Sequence, residues 1–189
     1  MNYIDISIIA ISLTIILSGF YVNFQRKSDE SEKLKVATDN TLLIFRVAVP
    51  ISLIISIVIY FTRWGSFEFN PTVYVGFGLV AIGLFVRWYS VHSLGRSFQV
   101  NVTIMKGQQL VKNGIYKLIR HPSYTGLLLY YLGLGLIMHN YISILILLIG
   151  PIFAVTMRIR KEEKFLEDHF GEDYTEYRKS SSRLIPFIY

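Results

Sequence analysis

Five apolar runs limit what this chain can fold into: Ile4–Phe24, Leu42–Thr62, Thr72–Ser93, Tyr124–Met138 and Tyr141–Met157. A helix needs about 20 mostly apolar residues to cross a bilayer, and in lipid the helix satisfies its own backbone groups. The last two runs are short and are separated by His139-Asn140. They read as an antiparallel helical hairpin whose second helix is kinked at Gly150-Pro151. The expected fold is all-α, a polytopic membrane protein with about five transmembrane helices. The first run reads as an uncleaved helix: its leader Met1-Asn2-Tyr3-Ile4-Asp5 has no Lys or Arg, and no A-x-A-like cleavage site follows.

Charge gives the topology. The net charge is +6 and the pI about 9.5, values that could suggest a nucleic-acid partner. Their distribution points elsewhere. Arg26, Lys27, Lys33 and Lys35 crowd the first loop, and Arg96, Lys106, Lys112, Lys117 and Arg120 fill the third. Many more lie in the tail, whereas the second loop holds Arg63 alone. The positive-inside rule then places the N-terminus outside and the C-terminus in the cytoplasm. Membrane topology accounts for the basicity, and no nucleic acid is expected. The sequence has no cysteine, which excludes disulfides, thiol nucleophiles and cysteine-ligated metals. Its histidines, His92, His121, His139 and His169, lack metal-binding spacing, so no metal is expected. Few charges interrupt the runs, which argues against a proton-coupled transporter.

Between the third and fourth runs the pattern changes. From Leu94 to Ile119 Gly, Asn, Lys and Gln interleave with aliphatics, a length unusual for a simple connector. It reads as a re-entrant or interfacial segment, the kind of loop where function often sits. The loop Gln25–Asn40 reads as a short surface excursion. The tail from Arg158 continues as a charged helix with Phe165, Leu166 and Phe170 on its apolar side. Gly171 fits a helix stop, Tyr174 and Tyr177 share the next face, and Leu184–Tyr189 is apolar enough to dock back.

Two strings could carry chemistry. In Gly114-Ile115-Tyr116-Lys117-Leu118-Ile119-Arg120-His121-Pro122-Ser123-Tyr124 the proline forces its predecessor out of helical geometry and suits the first position of a helix. Arg120 and His121 therefore sit at a helix N-terminus, whose N–H groups and partial positive charge suit a carboxylate or phosphate. The plainer reading makes Arg120 a membrane anchor and His121-Pro122 a helix start. In Arg158-Ile159-Arg160-Lys161-Glu162-Glu163, Arg158 and Glu162 share a helix face. Glu162 can accept from an ammonium group and Arg158 can clamp a carboxylate, or the pair simply stabilises an exposed helix. His92 reads as a packed polar residue and Arg87 as a snorkelling one. Gly76 and Gly83, seven apart, suit close helix packing, and Trp64 and Trp88 suit interfacial belts.

Together these strings resemble the isoprenylcysteine carboxyl methyltransferase family and related membrane phospholipid methyltransferases. The resemblance runs from about Leu94 to Tyr189. It rests on Leu94-Gly95-Arg96-Ser97-Phe98, Gln109-Leu110-Val111, Gly114-Ile115-Tyr116, Arg120-His121-Pro122-Ser123-Tyr124, Arg158 with Glu162-Glu163, and Phe170-Gly171-Glu172-Asp173-Tyr174 with Tyr177. It implies one membrane methyltransferase domain over 1–189, with three spans in 1–93 and a cofactor-binding half in 94–189. S-adenosylmethionine is the implied cofactor, and a cytoplasmic loop and helical tail form its pocket. Gln108, Gln109, Leu110, Val111, Tyr116, His121, Pro122, Ser123, Tyr124 and Glu162 would line that pocket. Arg158, with Arg120, would hold the substrate carboxylate. No strand and Gly-rich turn of a Rossmann methyltransferase is present, so helices and loop must build the site.

The chemistry agrees with this role. Methyl transfer from a sulfonium needs positioning above all. A carboxylate is ionised at neutral pH, whereas an amine must lose a proton, which would fall to Glu163 or a tyrosine because the sequence offers no dedicated base. The expected acceptor is thus a lipophilic or prenylated carboxylate reached through the membrane. Three other readings stay open: methylation of a lipid amine, an NADPH-dependent sterol-reductase-like enzyme, and a non-catalytic membrane interaction protein. The abundance of Ile, Lys and Asn leans towards a prokaryotic cell membrane.

Overall fold

Every apolar run forms a helix. The structure, a computed structural model, describes residues 3–25, 33–36, 40–68, 71–98 and 102–186. Its long helices are α1 (Tyr3–Gln25), α2 (Thr41–Thr62), α3 (Thr72–Leu94), α4 (Pro122–Ile137) and α5 (Tyr141–Phe170), followed by the short α6 (Glu172–Ser180). Three of them, α2, α3 and α5, are long and apolar enough to cross a membrane. The described apolar stretch of α1 is shorter, Tyr3–Leu17, and α4 has 16 residues. Among the described residues, three of the five expected crossings thus have the length and composition that a span requires. Large side chains such as Val47, Ile54 and Val58 on α2, Ile82 and Phe85 on α3, and Ile149 and Phe153 on α5 stay exposed. Exposure of so many large apolar groups is what lipid contact requires.

Glycines decide how α3 and α4 meet. Gly76 and Gly83 face Gly133 and Gly126, two residues with the same seven-residue spacing. A Cβ on Gly83 would lie 2.6 Å from the Gly126 carbonyl oxygen, and one on Gly126 equally close to that of Gly83. The Gly76–Gly133 pair repeats this at 2.7 and 2.6 Å. No other residue type lets the two backbones approach so closely. Helix α5 runs unbroken through Gly150-Pro151 and packs along α2. There Ser143 Oγ donates to the Ser56 carbonyl at 3.0 Å, and a Cβ on Gly150 would collide with Ser52 Oγ.

One end of the bundle is closed by the hairpin turn. Asn140, fully buried, caps α5 by accepting from Ser143 N–H at 2.9 Å and donates to the Trp64 carbonyl at 2.7 Å. At the same end Tyr60 donates to the buried Asp5 carboxylate at 2.7 Å and fixes α1. The opposite end carries a two-stranded sheet, a departure from the all-helical expectation. The strand β1 (Lys33–Val36) pairs antiparallel with β2 (Thr103–Met105), with Lys33 opposite Met105 and Val36 opposite Thr103. Val102 and Ile104 then pack on Phe165, Leu166 and Phe170 of α5, the apolar side expected of that helix. The described part of the first loop is thus more than a surface excursion, because it pairs with the third loop.

Candidate active site

The start of α4 is held from outside the helix. His121 adopts φ −124° and ψ 55°, the non-helical geometry that the following proline imposes. After α6 the chain returns alongside it. Arg120 N–H donates to Ser182 O at 2.9 Å, His121 N–H to Arg183 O at 3.2 Å, and Ser182 N–H to Leu118 O at 2.9 Å. Thr125 Oγ1 donates to Leu184 O at 2.7 Å, and Leu184 packs against the core. Arg120 Nη1 donates to the carbonyls of Arg178 and Ser181. The tail is therefore a structural part of the site rather than an appendage.

Behind this seam lies an ion-pair network centred on two neighbouring carboxylates. Glu162 accepts from Tyr124 OH at 2.7 Å and from Arg158 Nε at 3.0 Å. Glu163 accepts from Arg120 Nε at 2.9 Å and from Arg183 Nη2 at 2.8 Å. His121 stands between them, with Nδ1 3.5 Å from Glu162 and Nε2 3.4 Å from Glu163. Burial disfavours a charged ring there, yet the two carboxylates outweigh it and hold His121 above the ordinary histidine range. Arg158 is 2% exposed, so the pair with Glu162 is an internal one and not the exposed i,i+4 stabiliser considered from sequence.

A cavity of about 420 Å³ opens onto this network. Every residue expected of the site lines it: Gln108, Gln109, Leu110 and Val111 on the loop, Tyr116, Arg120, His121, Pro122, Ser123 and Tyr124 around the start of α4, and Arg158 and Glu162 on α5. Tyr174 and Tyr177 of α6 complete the polar end. Tyr177 OH donates to Tyr116 O at 2.6 Å, and Tyr116 OH to Ser90 O at 3.1 Å, which joins α6 to α3 through the loop. The buried Tyr174 hydroxyl has no hydrogen-bond partner among the described residues, and His121 Nε2 has only its 3.4 Å approach to Glu163. An orphaned polar group costs free energy unless a ligand or water meets it.

The other end of the cavity is apolar and was not legible in the sequence. Ile15, Ile16 and Gly19 of α1, Phe45, Val49 and Leu53 of α2, and Leu127 and Tyr131 of α4 form its wall. Arg87 also lines it, which corrects the snorkelling expected of that residue. Its Nη1 donates to Ser123 Oγ at 3.1 Å, while its buried Nε has no partner among the described residues. No carboxylate pairs with Arg87 among the described residues. His92 is exposed and stacks on Trp88, which corrects the packed position expected of it, and it does not line the cavity.

Comparison with known proteins agrees with this arrangement. The Isoprenylcysteine carboxyl methyltransferase (ICMT) family matches residues 75–168. Protein-S-isoprenylcysteine O-methyltransferase of Saccharomyces cerevisiae is 37% identical over 112 residues, 58% of this chain and 47% of that protein. The Dictyostelium discoideum protein of the same name is 31% identical over 160 residues, 82% of this chain and 68% of its own length. A probable member from Oryza sativa subsp. indica is 35% identical and covered to 61%, so the chain spans about half to two thirds of these relatives. These relatives are eukaryotic and lend the prokaryotic leaning no support. The solved eukaryotic intramembrane Ras methyltransferase ICMT superimposes with a TM-score of 0.64 at 25% identity, over 74% of this chain and 52% of that one. The chain belongs to the isoprenylcysteine carboxyl methyltransferase family.

Proposed function

We propose that this chain transfers a methyl group from S-adenosylmethionine to the carboxylate of a lipophilic acceptor of the isoprenylcysteine type. The observation that supports this best is one cavity with two unlike ends. Its polar end is framed by the loop at Gln108–Val111 and by His121, Tyr124 and Glu162; its apolar end lies between α1, α2 and α4. A soluble cofactor and a membrane-borne acceptor could meet there without either leaving its own phase.

The residues fit the cofactor. The Glu162 carboxylate offers an acceptor, and the Tyr174 hydroxyl, without a partner among the described residues, a further polar contact for its amino-acid part. The loop and Tyr116 grip the adenosyl part. When bound, S-adenosylmethionine supplies an electrophilic methyl group. The chain's own residues position and exclude water. Arg158, fixed at Nε by Glu162, steers the acceptor carboxylate, and Arg120 supports it by tying Glu163 to the tail. Arg87 favours an anionic acceptor over an amine, because a half-buried guanidinium with no carboxylate partner among the described residues gains from a ligand anion. The basic loops and tail face the cytoplasm, the N-terminus lies outside, and the chain acts as one domain.

Titration of detergent-purified protein with S-adenosylhomocysteine tests this reading, alongside Glu162→Ala and an NADPH control. Binding by the wild type that Glu162→Ala weakens at least tenfold is the expected result. NADPH binding in its place would sink the methyltransferase reading.

A further inference from the structure

Helix α1 contains a single glycine, Gly19, and its sequence gives no reason for one. Glycine in a helix interior is destabilising relative to alanine. Gly76, Gly83, Gly126 and Gly133 are explained by the carbonyls that crowd them. Gly19 is not, because a Cβ built there meets no heavy atom of a described residue within 4 Å. Gly78 has equally open surroundings but is exposed and lines no part of the cavity.

Gly19 does line it. The residue lies one helical turn from Ile15 and shares its face, and Ile15 is 7% exposed against the same apolar wall. A side chain at position 19 would therefore extend into room that no described residue fills. Resting on the proposal above, we infer that Gly19 is a specificity-determining residue that sets how long an acceptor tail the cavity accepts. The space of its missing side chain is occupied by the apolar tail, next to Ile16 and Phe45. The occupant is an isoprenoid or comparably slender chain.

The test compares kcat/KM for N-acetyl-S-geranylcysteine, its farnesyl and its geranylgeranyl counterparts in wild type, Gly19→Ala, Gly19→Leu and Gly19→Phe. The farnesyl-to-geranyl ratio falls stepwise as the side chain grows, by about tenfold or more for Gly19→Phe, and the change resides in KM. An equal loss for all acceptors, or no change in the ratio, overturns the inference. S-adenosylhomocysteine titration of each variant reports whether it has folded. Should the larger variants not fold, Gly19→Cys provides a unique thiol in a chain without cysteines. Farnesylcysteine then slows its modification by a methanethiosulfonate reagent; an unchanged rate overturns the inference. That protection is read without turnover, so it separates failure here from failure of the methyltransferase reading.

Discussion

His121 stands between the two neighbouring carboxylates of the site. Both ring nitrogens face a carboxylate, and its pKa is held above the ordinary value by Glu162 and Glu163 against the opposing effect of burial. A group whose folded pKa is raised contributes stability that is complete below its unfolded pKa, about 6.5, and is lost as the pH rises through the folded value. The thermal midpoint in detergent should therefore decline as the pH is raised through that range, and His121→Gln should flatten the decline. Removing Glu163 leaves Arg120, Arg183 and His121 without their shared counter-charge. Glu163→Ala should cost about 3–5 kcal/mol, the scale for breaking a buried pair, measured by chemical or thermal denaturation. At this scale the sequence was informative where a residue's environment is set by its neighbours in the chain. Arg120-His121-Pro122 and Arg158 with Glu162 declared themselves through proline geometry and helical spacing. The Arg183–Glu163 pair did not, because nothing local links residues twenty apart. Arg87 was misread because charge alone cannot tell a snorkelling side chain from one turned inward.

Helices and their seams follow different rules. The four facing glycines make the α3–α4 contact intolerant of any side chain, so Gly83→Val or Gly126→Val should destabilise by about 3 kcal/mol or more. Gly78→Ala on the same helix has open surroundings and should be neutral or stabilising by up to about 1 kcal/mol. A thermal-shift comparison of the variants in one detergent checks both signs. The spacing of Gly76 and Gly83 announced a close helix contact; its partners emerged only in the fold. Apolar runs fixed the helices to within a few residues, since hydrophobicity is a property of the local chain. The β1–β2 pair escaped notice because each strand has only three or four residues and its partner lies across two helices. Tail docking depends on the backbone of Leu118–His121 meeting that of Ser182 and Arg183. Disrupting it with Ser182→Pro removes an N–H donor to Leu118 O and should raise proteolytic sensitivity of the tail together with the dissociation constant for S-adenosylhomocysteine.

Across the whole molecule, hydrophobic helices and a polar loop meet around one cavity, and the proposed function rests on that junction. Its polar half was legible because motif residues cluster in sequence around Arg120–Tyr124 and Arg158–Glu163. Its apolar half was hidden because α1 and α2 look like any membrane helices until their positions around the cavity are known. The measurement that tests the methyl-transfer proposal most directly uses S-adenosylmethionine labelled in its methyl group, with N-acetyl-S-farnesylcysteine and the purified chain in detergent. A base-labile methyl ester, released as methanol and lost with Arg158→Ala, is the expected outcome. Label that stays on the acceptor after base treatment, or an acceptor that gains no label while the protein binds S-adenosylhomocysteine, would contradict carboxylate methylation.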